Sequence, residues 1–163
     1  MVTCGQGLLP FFMGFYATLP VGDPVAFSSI CLTACAATLI TTGLYPLTQV
    51  YQIDEDLQRG DRSFAAHYGV RKTFCMAALL VGFGMGLLTW LMFTSAIFQR
   101  FWVVLLPFGY AAFLVVLRLW LKRFPRQTVY QNHDWSFGVS LIMSGLFWLF
   151  LLVEYTMGIS YMS

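Results

Sequence analysis

The sequence predicts an all-α, multi-pass transmembrane helix bundle. Of its 163 residues, 59% are hydrophobic and only 10% are charged, whereas soluble domains carry about a quarter charged residues. The apolar residues lie in long runs separated by short charged stretches, the pattern of an integral membrane protein. These runs lack the alternation of barrel strands, which leaves helices as the way to satisfy the backbone in lipid. A net charge of +2 is too small to mark a nucleic-acid binder.

Five spans are expected in chain order. Residues 7–20 form a short, marginal first span. They contain Pro10 and Pro20 and lack the positive stretch of a cleavable signal. VGDP at 21–24 reads as a turn, and residues 25–50 as the second span. A charged loop follows over 52–72. Residues 73–98 form the third span, where Gly82, Gly84 and Gly86 would let helices approach closely. Gln99 and Arg100 mark a tight turn. Residues 101–121 form the fourth span, with Trp102 and Trp120 near its ends, as in an interfacial aromatic belt or as packing residues. A second polar loop runs over 122–134, and residues 135–157 complete the set. With no linker, 1–163 reads as a single transmembrane domain. Cys31, Cys35 and Cys75 lie within apolar runs and read as small hydrophobes.

Basic residues predict the orientation. The loop after span two holds Arg59, Arg62, Arg71 and Lys72. The region after span four holds Arg118, Lys122, Arg123 and Arg126, and the turn between spans three and four holds only Arg100. The positive-inside rule therefore places residues 52–72 and 122–134 on the cytoplasmic side.

Ionisable chemistry is concentrated in 45–72, YPLTQVYQIDEDLQRGDRSFAAHYGVRK. Asp54, Glu55, Asp56 and Asp61 are four of the chain's seven acidic residues. Tyr45, Gln49, Gln52 and Asp56 are spaced 4, 3 and 4 apart, so on a helix they would line one face. Thr38 and Thr41 extend that face upstream, and Pro46 could bend it. Such a stripe reads as the wall of a protein-lined or watery cavity, or as groups bonded to neighbouring helices. The oxygen ligands of Asp54, Asp56 and Asp61 suit Mg²⁺ together with substrate phosphates and water. Arg59, Arg62, Arg71 and Lys72 could take remaining phosphate charge. Local pairing of Glu55 or Asp56 with Arg59 is the alternative.

QIDEDLQRGDRSFAAHYG resembles the second aspartate-rich motif of the UbiA-type membrane prenyltransferases. Asp56 matches the motif's second aspartate, Gly60 its glycine, Arg62 and Ser63 its basic–hydroxyl pair, and Gly69 its closing glycine. Asp54 matches an acidic position common between the two aspartates. PLTQVYQ before the motif and the helix after it are similar too. Gln52 stands where the first aspartate is expected and Asp61 where a basic residue is common. The family looks like a nine-helix bundle with two such motifs. This chain resembles the last five helices, and it holds no NxxxDxxxD-type first motif.

The resemblance implies the C-terminal half of a prenyltransferase. A prenyl group would pass from prenyl diphosphate to an aromatic or quinone-precursor acceptor, with Mg²⁺ shared between the motifs of two halves. It implies Asp56 and Asp54 as catalytic residues, Asp54, Asp56 and Asp61 as metal ligands, and Arg59, Arg62, Lys72, Gln52 and Gln49 around the diphosphate. Tyr45 and Tyr51 would line the cavity, where aromatic faces favour an allylic cation. The other reading is a non-catalytic membrane protein that keeps this scaffold and binds a lipid or a partner.

Overall fold

The structure is a computed structural model that describes residues 4–18, 27–94 and 101–162. Among these residues every regular element is helical. A π-helical turn, Cys4–Leu8, leads into α1, Leu9–Thr18. Next comes α2, Phe27–Leu44, which passes through two 3-10 turns, Tyr45–Thr48 and Val50–Gln52, into α3, Ile53–Arg59. A short α4, Phe64–Tyr68, is followed by α5, Val70–Thr94, and α6, Trp102–Arg123. A 3-10 turn, Phe124–Arg126, then leads to α7, Val129–Met162. The expected turns at 21–24 and 99–100 lie outside the described residues.

Three segments are long and apolar enough to cross a membrane: Ser29–Arg59, Val70–Thr94 and Trp102–Arg126, with mean hydropathies of 1.6, 2.0 and 2.0. They overlap the second, third and fourth expected spans, the first of them running on to Arg59 through part of the stretch expected as a loop. The first expected span falls on the Cys4–Leu8 turn and on α1, whose ten residues rise only about 15 Å. The fifth lies within α7. Large apolar side chains on the outer faces, including Phe83, Trp90, Phe93 and Phe108, are more than half exposed. Such surfaces suit hydrocarbon rather than water.

Small residues set the spacing of α2, α5 and α6. A Cβ added at Gly84 would lie 2.6 Å from Ile40 Cγ1 and 2.8 Å from the Ala36 carbonyl oxygen on α2. One added at Gly43 would lie 3.1 Å from the Ala77 carbonyl oxygen on α5. Gly82 serves α6 instead, since a Cβ there would run into the Tyr110 ring. In the space this leaves, the Tyr110 hydroxyl donates to the Ala78 carbonyl at 2.8 Å. Gly86 meets nothing within 4 Å. The expected close-approach role thus holds for Gly82 and Gly84, and Gly86 takes no part in it.

The core lies toward the polar-loop end. Phe74, Ala77 and Val81 of α5 cluster with Phe113, Leu117 and Trp120 of α6 and Val139 of α7. Leu47, Val50 and Ala65 enter from the connection between α2 and α5. Trp120 is fully buried, and its indole N–H donates to Asn132 Oδ1 at 3.0 Å. Asn132 in turn donates from Nδ2 to the Phe124 carbonyl at 3.3 Å. Phe74 meets Trp120 edge-on at 4.8 Å, and Trp135 stacks at 6.5 Å. Trp102 is also buried and contacts Phe150 at 4.9 Å. Of the two roles expected for these tryptophans, packing is therefore the correct one. Both pin α6 against α7, and neither forms a belt at the lipid interface. The two contacts lie at opposite ends of α6, so α6 and α7 run antiparallel.

Thr128 and Gln131 close the start of α7 reciprocally. The Thr128 N–H donates to Gln131 Oε1 at 3.0 Å, and the Gln131 N–H donates to Thr128 Oγ1 at 3.3 Å. This is a capping box with glutamine in the return position.

Gly84→Ala should lower the thermal stability of the detergent-solubilised protein, because the methyl meets backbone on α2 and the helices must part, at a cost of about 1–3 kcal/mol. Gly86→Ala should leave stability unchanged or raise it slightly, because alanine is the better helix former. Equal melting temperatures for the two variants would contradict the packing described.

Candidate functional site

The polar stretch predicted as a loop over 52–72 is mostly helical, and it forms a folded corner between α2 and α5. The continuous helical face expected through Tyr45, Gln49, Gln52 and Asp56 is interrupted. Pro46, near the start of the first 3-10 turn, has no N–H for an α-helical ladder. The chain then takes two 3-10 turns before α3 begins. Buried Leu47 and Val50 anchor those turns in the core, so the polar residues between them are held by the packing of their apolar neighbours.

The stripe stays polar and partly open. Gln49 Nε2 donates to the Tyr45 hydroxyl at 3.1 Å, and Gln52 Nε2 donates to the Tyr51 hydroxyl at 3.1 Å. All four side chains are half-buried. Each phenol accepts from an amide and keeps its own proton to donate. Upstream, Thr38 and Thr41 donate to the Ala34 and Ala37 carbonyls of their own helix at 2.7 and 2.9 Å. Gly7 packs directly over them. The stripe therefore begins at Tyr45 rather than at Thr38.

α3 ends in a Schellman motif. Gly60 takes φ +77°, its N–H donates to the Leu57 carbonyl, and the Asp61 N–H donates to the Asp56 carbonyl at 2.8 Å. Glycine adopts that left-handed conformation without strain. Ser63 then caps α4 by accepting from the Ala66 N–H at 3.2 Å, while its hydroxyl donates to Asp56 Oδ2. Asp56 therefore ties α3 to α4. Gly69, at φ +81°, lets the chain turn from α4 into α5. Four residues that carry the family resemblance, Asp56, Gly60, Ser63 and Gly69, are thus also the residues that fold this corner.

The acidic residues do not act as a set. Asp54 and Asp56 are two apart on α3, about 200° around the helix axis. Asp54 and Asp61 are exposed, whereas Asp56 is half-buried against Ser63. Among the described residues no three His, Cys, Asp or Glu side chains are grouped closely enough to hold a metal ion. The expected three-carboxylate arrangement of Asp54, Asp56 and Asp61 is therefore not assembled.

The basic residues divide in two. Arg59 pairs with Glu55 on the exposed side of α3. Arg62, Arg71 and Lys72 are exposed and make no ion pair among the described residues. Lys72 Nζ lies 6.0 Å from the centre of the Tyr68 ring.

The fold also adds a residue that spacing did not mark. His133, at the start of α7, meets the Tyr51 ring edge-on at 5.1 Å and lies 3.5 Å from Asp134. Eighty-two residues separate Tyr51 from His133 in the chain, so only the packing of α7 on the 3-10 turns reveals the pair. The contact brings the start of α7 against the 3-10 turns that follow α2.

Ser63→Ala should remove the α4 cap and the bridge to Asp56 together, at a cost of about 1–2 kcal/mol. Amide hydrogen exchange should quicken across residues 53–69 and stay unchanged in the middle of α5 and α6. Unaltered exchange in 53–69 would show that the bridge does not hold the corner. Comparison with protein-family models, curated proteins and solved structures finds no match to this chain.

Proposed function

We propose that this chain is the C-terminal half of a UbiA-type membrane prenyltransferase, and that its α2–α5 corner handles the diphosphate of a prenyl donor. One observation carries the reading. At the end of a membrane-spanning segment, a tightly folded acidic turn adjoins a half-buried row of Tyr45, Gln49, Tyr51 and Gln52, with Arg62 making no ion pair among the described residues. A prenyl diphosphate has matching parts. Its head needs several hydrogen-bond donors and positive charge, and its tail needs an apolar path between helices.

In this reading Arg62 neutralises the diphosphate, and the amides of Gln49 and Gln52 and the hydroxyls of Tyr45 and Tyr51 orient it; Lys72, expected to share that task, lies on the opposite side of α5 from its buried residues. Positive charge and oriented donors at the leaving group lower the barrier to breaking the allylic carbon–oxygen bond. The tyrosine faces stabilise the allylic cation that results. An aromatic or quinone-precursor ring then attacks that cation and releases a proton. Mg²⁺ fits this chain only in part, since Asp56 offers a half-buried carboxylate but no three acidic groups converge among the described residues. An ion arriving with the diphosphate would take its other ligands from phosphate, water and a second segment, and it would supply further charge neutralisation. Five crossings, with residues 52–72 and 122–134 on the cytoplasmic side, belong to the same proposal, as does a further N-terminal half bearing the first motif.

A second reading is a lipid-binding or scaffolding relative without catalysis. Gln52 in place of a carboxylate and the ungrouped acidic residues favour it. Binding separates the two. With geranyl diphosphate as the probe, the protein in nanodiscs should bind in a Mg²⁺-dependent way, and Asp56→Asn or Arg62→Gln should weaken binding by about tenfold or more. Binding that ignores both Mg²⁺ and these substitutions would favour the second reading.

A further inference from the structure

A second feature lies on the outer side of α5, away from the tyrosine and glutamine row. Residues Arg71, Lys72, Cys75, Met76 and Leu79, all on α5, line a shallow open groove along its outer surface. Their spacing of 1, 3, 1 and 3 makes one stripe along the helix. The core-facing residues of α5 (Thr73, Phe74, Ala77, Val81 and Gly84) lie on the other side. Arg71, Lys72, Cys75 and Leu79 are exposed. In a membrane this groove therefore faces lipid.

The groove has a polar end and an apolar floor. Its polar end is Arg71 and Lys72, neither ion-paired among the described residues, and no acidic residue lines it. Its floor is Cys75, Met76 and Leu79. The position along the helix matters as much as the composition. α5 has 25 residues, about 37 Å, against a hydrocarbon core of about 30 Å. One end or both must emerge from it, and the end carrying two cations is the one that reaches the headgroups. Tyr68 lies beside it, half exposed and 6.0 Å from Lys72 Nζ, the kind of side chain enriched at that depth.

We propose that this groove binds one anionic phospholipid. The headgroup phosphate sits on Arg71 and Lys72, and an acyl chain lies along Cys75, Met76 and Leu79. The charge fits an anionic lipid and not a zwitterionic one, because no carboxylate lines the groove to receive a choline or ethanolamine cation. The apolar floor fits a membrane lipid and not a free phosphate, which would leave it uncovered. Basic residues at a membrane surface attract anionic lipid in this way. The groove alone supports this lipid site, which does not require the prenyl-transfer reading.

Native mass spectrometry of the protein released from nanodiscs of phosphatidylcholine with phosphatidylglycerol tests it. The wild-type protein should retain one phosphatidylglycerol in preference to phosphatidylcholine. Arg71→Gln with Lys72→Gln should reduce that preference by about tenfold. Cys75→Trp should reduce retention of the lipid by filling the groove while leaving the charge intact. Gel filtration and circular dichroism show whether each variant is folded, and either variant suffices if the other is not. Retention that is equal for the two lipids, or unchanged in a folded variant, overturns the proposal. So does complete displacement of the lipid by inorganic pyrophosphate, which would assign the cations to a soluble phosphate ligand. Geranyl diphosphate binding is a separate readout, so failure here leaves the prenyl-transfer reading to its own experiment.

Discussion

The buried indole N–H of Trp120 must have an acceptor. In the interior of a helical bundle an unpaired polar group costs about 1–3 kcal/mol, and Trp120 is fully buried. Asn132 supplies that acceptor and spends its own amide on the Phe124 carbonyl, which also accepts from the Gln127 N–H where α6 ends. Two otherwise costly buried groups, the Trp120 indole and the Asn132 amide, are thus satisfied together. The register between α6 and α7 follows, because sliding either helix would strand both. Phe74 and Trp135 close around the indole, so α5 is fixed by the same residue.

That clamp also places the candidate site. The connection between α2 and α5 has few regular hydrogen bonds of its own at the 3-10 turns, and it relies on Leu47 and Val50 entering the cluster around Trp120. The start of α7 packs on the same turns, which brings His133 to Tyr51. The site therefore sits on rigid elements at its two ends, while the short helices α3 and α4 are held by local devices. Those devices are the Schellman turn at Gly60, the Ser63 cap and the Asp56 bridge.

Much of this was legible in the sequence, for identifiable reasons. Long apolar runs located α2, α5 and α6, because hydropathy measures the property that a bilayer selects. Gly82 and Gly84 were readable as contact positions, but nothing in the pattern distinguished them from Gly86, since the neighbouring helix decides which glycine faces it. The Glu55–Arg59 pair follows from spacing alone. The stripe from Tyr45 to Asp56 was readable as polar but not in its geometry. Pro46 breaks the helical period there, and a period of 3.6 does not carry through the two 3-10 turns at Tyr45–Thr48 and Val50–Gln52. Thr128 to Gln131 carries a capping signal that hydropathy passes over. The acidic run looked like a ligand set because sequence proximity says nothing of direction, and two positions along a helix separate side chains to opposite sides. His133 carried no signal at all, since its partner is distant in the chain.

The most direct measurement is oxidative cross-linking of Tyr51→Cys with His133→Cys, in a background where the chain's four cysteines are replaced by serine. If the corner and the start of α7 form one assembly at one end of the bundle, an intramolecular disulfide should form rapidly in membranes. None should form for Tyr51→Cys paired with Leu146→Cys further along α7. Absence of the first cross-link in a folded protein would contradict the assembly, and with it the site built upon it.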